Sequence, residues 1–155
     1  MSFKKQNAPP LSILLADDDT DDCLFFDKAL RGIPIATHLT IVHDGDELMN
    51  YLFENSENLP IILFLDLSMP RKTGFECLIE IKGSEKLKNI KIIVFTTAIG
   101  QNIYFEEGLI NTLSNFGSGG YIRKPNYISQ LQQIIHQALI MEIEKGSVSD
   151  KVENN

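Results

Sequence analysis

Short runs of β-branched and large apolar residues alternate along this chain with segments whose apolar positions recur every three or four residues. The first kind suits a buried strand and the second an amphipathic helix, so the pattern predicts repeated βαβ units. The strand-like runs fall at Leu11 to Ala16, Ala36 to Val42, Ile61 to Asp66, Ile90 to Thr96 and Tyr121-Ile122. A helix is predicted from about Asp21 to Arg31, where Cys23, Phe26, Ala29 and Leu30 share a face, and another from Glu47 to Phe53 through Leu48, Tyr51 and Leu52. Phe75, Leu78 and Ile79 mark a third, and Gln101 to Phe116 reads as helical with a weaker period. The last helix, Tyr127 to Lys145, carries Ile128, Leu131, Ile135, Ala138 and Leu139 on one stripe and is expected to stop at Gly146.

Strands this continuously apolar are buried on both faces, which implies an α/β fold with a five-stranded parallel sheet and helices on both sides. Open parallel sheets take their ligands outside the carboxyl ends of the strands. The polar residues collect at that end: Asp17-Asp18 closes the first run, Asp66 the third and Thr96-Thr97 the fourth, while Lys124-Pro125 follows the fifth. A carboxylate closing the apolar run Ile61 to Leu65 is costly to desolvate without a compensating cation or donors. Asp17 and Asp18, brought beside it by parallel pairing, add negative charge, so a hard divalent cation such as Mg²⁺ is the natural partner of all three. With that cation, one carboxylate can act as a nucleophile toward a phosphoryl group, Lys124 supplying a point charge and Thr96 a hydroxyl.

Composition narrows the function classes. A chain of 155 residues has room for one domain, expected over 11–145 between a flexible arm at 1–10 and a flexible tail at 146–155. Fourteen Lys plus Arg against 21 Asp plus Glu give a net charge of −7, which argues against a general nucleic-acid binder. No apolar run approaches the roughly 18 to 20 residues of a membrane helix, and no secretory signal precedes Pro9-Pro10, so a cytoplasmic location is expected. Cys23 and Cys77 lack any CxxC spacing and read as reduced core thiols. Nor do His38, His43 and His136 have ligand-like spacing. Asp19, Asp21 and Asp22 read as a solvated helix N-terminus favoured by the macrodipole.

The segments LLADDDTDD, IILFLDLSMPRKTG, IIVFTTA and GGYIRKP resemble, in order and at strand ends, the receiver domain of two-component response regulators. The resemblance spans about residues 11–140 and implies the flavodoxin-like doubly wound sheet with strand order 2-1-3-4-5. It implies Asp66 as phospho-acceptor, Asp17 and Asp18 as the acidic pair holding Mg²⁺ with it, and Ser68 as the position whose backbone carbonyl joins the metal. Thr96 matches the hydroxyl that follows the phosphoryl group, Lys124 the family lysine, and Tyr121 the aromatic coupled to that threonine. Pro125 matches a lysine-proline peptide that is commonly cis in the family.

The implied partners are a histidine kinase or histidine phosphotransfer protein and an unknown downstream protein, with no nucleic acid and no membrane. A homodimer through the 100–140 face is also implied, and the stretch from Thr96 to Tyr121 is longer than usual. As a stand-alone receiver the protein would be no enzyme beyond its own phosphorylation and dephosphorylation. Two alternatives stay open. A phosphatase of the haloacid dehalogenase type would use Asp17 as nucleophile, although Asp21 stands where its DxDx[TV] pattern has Thr or Val. A phosphate-independent interaction module would use no nucleophile.

Overall fold

The computed structural model describes residues 9–97, 111–115 and 119–153. Five parallel strands, β1 (Leu11–Ala16), β2 (Thr37–Val42), β3 (Ile62–Leu65), β4 (Lys91–Thr96) and β5 (Tyr121–Arg123), form one sheet. Their order is β2-β1-β3-β4-β5, the doubly wound arrangement expected from the sequence. Between them lie α1 (Thr20–Arg31), α2 (Gly45–Glu54) and α3 (Gly74–Lys82), and α4 (Ile128–Glu153) follows β5. Residues 111–115 are helical; the rest of the predicted Gln101 to Phe116 helix lies outside the described residues.

Residue alternation along the strands sorts the core into two halves. Leu14, Ala16, Leu63, Leu65, Ile92 and Val94 face α2 and α3, where Leu48, Leu52, Leu78 and Ile81 are buried against them. Ile13, Leu15, Phe64, Ile93 and Phe95 face α1 and α4, meeting Phe26, Leu30, Leu131, Ile135 and Leu139. Phe26, Phe64 and Phe95 make mutual edge contacts with ring centroids 5.0, 5.7 and 6.3 Å apart, directly under the carboxyl end of the sheet.

Side-chain caps fix where the helices begin. Asp19 accepts a hydrogen bond from the Asp22 amide and starts α1, and Asp44 accepts one from the Glu47 amide and starts α2 at Gly45, two residues before the Glu47 expected from the apolar spacing. Thr73 and Glu76 form a reciprocal capping box on α3. Gly74 is required there: a Cβ on it would stand 2.0 Å from the Asp66 carbonyl oxygen.

Two expectations need correction. Helix α4 runs through Gly146 to Glu153, because a single glycine costs a helix only about 1 kcal/mol and nothing after it forces the chain to turn. The Lys124–Pro125 bond is trans, as is every peptide bond among the described residues; trans is the lower-energy form even before proline.

Candidate functional site

The sheet register decides which side chains meet. Ala16 of β1 pairs with Leu65 of β3, and the Asp66 amide donates to the Ala16 carbonyl, so Asp17 and Asp66 leave their strands side by side. On the other flank, Thr96 pairs with Arg123, and the Lys124 amide donates to the Thr96 carbonyl. One edge of the sheet therefore brings Asp17, Asp66, Thr96 and Lys124 together.

Asp66 is 4% exposed, and both its oxygens are engaged. Oδ1 accepts from the Thr96 hydroxyl at 2.9 Å and from the Ser68 amide at 3.3 Å, while Oδ2 lies 3.5 Å from the Lys124 ammonium. Asp17 is fully buried; its Oδ1 accepts from the Asp19 amide at 3.0 Å, and its Oδ2 lies 2.7 Å from Lys124. That Oδ2 contact is ionic and lacks hydrogen-bond geometry. Burial pushes the Asp17 carboxyl from 3.8 up to about 6, against the opposing pull of Lys124. For Lys124, burial alone would favour the neutral amine, but Asp17, Asp22 and Asp66 outweigh it and hold its pKa above the ordinary value.

Asp18 is exposed at the mouth of the site, and one carboxylate oxygen from each of Asp17, Asp18 and Asp66 lies within 4.8 Å of the others. The cluster suits a divalent cation: the donors are hard oxygens, and Asp17 Oδ2 is a buried oxygen with only an ionic neighbour. Ser68 sits beside it on the loop after β3, its amide already turned to Asp66. Tyr121 is half-buried on β5, opposite Val94 and against the α2–α3 half of the core.

One residue of the constellation was read from sequence only as a solvated first-turn carboxylate. Asp22 Oδ2 accepts from the Lys124 ammonium at 2.8 Å, across 102 positions of sequence. The signal was its spacing, since Asp22 stands four residues before Phe26 on the stripe that faces the sheet. Phe95 was also missed; Lys124 Nζ lies 5.5 Å above its ring.

Comparison with known proteins gives the family and the fold. The response regulator receiver domain profile matches residues 13–136. Response regulator Rcp1 of Synechocystis sp. is 37% identical over 98 residues, which cover 60% of this chain and 66% of that protein. A crystal structure of the Mn²⁺-bound form of Rcp1 superposes with a TM-score of 0.69 at 27% identity, covering 83% of this chain and 91% of that one. That of the phosphorylated cyanobacterial phytochrome response regulator RcpA gives 0.71 at 31% identity, covering 84% and 91%.

Proposed function

Because the chain belongs to the response regulator receiver domain family, whose function is phosphorylation on aspartate, we propose that Asp66 is its phospho-acceptor. The observation that carries this reading is the convergence on one buried carboxylate of a hydroxyl donor, Thr96, and an ammonium, Lys124, beside a second buried carboxylate, Asp17. In the transfer, an Asp66 oxygen attacks the phosphorus of a partner's phosphohistidine. The P–N bond breaks, and its electron pair leaves on the imidazole nitrogen. Lys124 offers its charge to a phosphoryl oxygen, and Thr96, released from Asp66 Oδ1, donates to another. Asp17, Asp18, Asp66 and the Ser68 carbonyl would hold Mg²⁺, which supplies charge neutralisation between the carboxylates and the incoming phosphoryl group.

The product carries a charge of about −1.5 to −2 where one buried carboxylate stood. Thr96 follows that charge, Tyr121 repacks beside it, and the surface around β5 and the start of α4 presents the change to a downstream protein. The donor is a histidine kinase or phosphotransfer protein in the cytoplasm, and turnover is limited to the protein's own aspartyl phosphate.

The test is intact-protein mass after incubation with acetyl phosphate and Mg²⁺. One added phosphoryl group that disappears in Asp66→Asn and in EDTA supports this reading. Loss only in Asp17→Asn would move the nucleophile to Asp17, as a haloacid dehalogenase-type phosphatase requires. No adduct despite measured Mg²⁺ binding would make the protein a phosphate-independent module.

A further inference from the structure

The Lys124 ammonium lies nearer to two other carboxylates than to Asp66: 2.7 Å from Asp17, 2.8 Å from Asp22 and 3.5 Å from Asp66. We propose that Asp22 is a positioning residue that competes with the phosphoryl group for Lys124 and so limits both the rate and the lifetime of phosphorylation. This rests on Asp66 being the acceptor.

Three carboxylates surround the ammonium, and of these contacts the one to Asp22 has hydrogen-bond geometry, so Asp22 takes one of its three N–H donors. Lys124 has little freedom to serve a fourth anion by moving. Its side chain is only 9% exposed, its backbone is tied to Thr96, and its head lies over Phe95. The Asp22 backbone is also held, its amide donating to the Asp19 cap in the first turn of α1. Asp22 also lies outside the Asp17, Asp18 and Asp66 cluster. Binding at that cluster therefore leaves the Asp22 carboxylate itself unoccupied.

A phosphoryl dianion on Asp66 and the Asp22 carboxylate thus draw the same ammonium in different directions. Each N–H kept by Asp22 is one withheld from a phosphoryl oxygen. Asp22 is 36% exposed, so solvent screens part of its pull and the effect is graded rather than a block. Removing its charge releases the N–H that Asp22 holds to a phosphoryl oxygen on Asp66, which favours the transition state and the product alike.

The experiment follows uptake from acetyl phosphate with Mg²⁺, then decay after its removal, by intact mass. The proteins are wild type, Asp22→Asn, Asp22→Glu, Lys124→Gln and the double variant Asp22→Asn with Lys124→Gln, with Asp66→Asn as the blank. Asp22→Asn should raise the uptake rate by about 3- to 10-fold and slow decay, towards the lower end of the coupling found between directly contacting groups, as suits a partly screened pair. Asp22→Glu, which keeps the carboxylate, should stay near wild type. In the Lys124→Gln background, Asp22→Asn should change nothing. Uptake that is unchanged or slower in Asp22→Asn overturns the proposal. So does equal acceleration with and without Lys124, which would mark a bulk charge effect. A wild type that takes up no phosphoryl group would instead refute the acceptor assignment, and this inference with it.

Discussion

Thr96 Oγ1 donates to Asp66 Oδ1 at 2.9 Å, just beyond the last pair of the β3–β4 ladder, Leu65 with Val94: Asp66 stands one position past Leu65 and Thr96 two past Val94. Both residues are buried, so the bond is formed out of competition with water. Thr96→Val keeps the volume but removes the donor, leaving Oδ1 with only the longer bond from Ser68. It should lower unfolding free energy by about 1–3 kcal/mol in urea titrations, as expected when a buried charged group loses a partner. Thr96→Ser should recover most of that. A Thr96→Val midpoint equal to wild type would contradict the bond.

Asp18 should behave in the opposite sense. Its carboxylate adds to the repulsion between Asp17 and Asp66, and none of the described ion pairs includes it. Without metal, Asp18→Asn should therefore raise the thermal midpoint. With Mg²⁺ it should gain less than wild type gains, because a ligand is gone and stabilisation by a bound ion follows its affinity. Thermal scans in EDTA and across a Mg²⁺ series measure both effects, and a lower midpoint in EDTA would refute the repulsion.

Gly74 separates packing from chemistry. A Cβ there would stand 2.0 Å from the Asp66 carbonyl oxygen and 2.8 Å from Leu67 Cα, both backbone atoms. Gly74→Ala should cost about 1–3 kcal/mol by overpacking and also slow phosphorylation, since the backbone that must yield belongs to the acceptor. Gly83→Ala, whose nearest contact would be 3.4 Å, should change the phosphorylation rate little. Equal effects from the two would show that Gly74 is not pressed against Asp66.

The two thiols should be silent in the folded protein. Burial pushes Cys23 and Cys77 from 9.0 up to about 12, so at pH 8 only about one thiol in ten thousand is ionised. Raising the pH from 7 to 9 leaves both far below their pKa values, so thiol titration with a disulfide reagent should remain slow across that range. Reaction of both should follow unfolding by denaturant. Rapid labelling of Cys77 at pH 8 without denaturant would contradict its burial against the Gly45 carbonyl.

The central strands were legible because β1, β3 and β4 are mostly apolar, buried runs, their order followed from the resemblance to receiver domains, and a parallel sheet places the residue after each run on one edge. That reasoning located Asp17, Asp66, Thr96 and Lys124 before any contact was known. It failed for Asp22, whose position in a first helical turn has a sufficient local explanation in the helix dipole. The ion pair that gives it another role spans 102 residues and leaves no local mark. It failed for the end of α4 because glycine after a basic residue is a common stop, and the small intrinsic cost at Gly146 was outweighed.

Every group gathered around Lys124 lies at one end of the sheet. The other end, where the chain doubles back through Asn55 to Leu59 and through Gly83 to Ile90, holds none of them. Exposed positions there, such as Glu57, Asn58, Lys86 and Asn89, are free to drift in sequence or to accept a dye or an affinity tag. A reporter attached at that end would follow the tumbling and partners of the molecule while leaving its charge chemistry undisturbed.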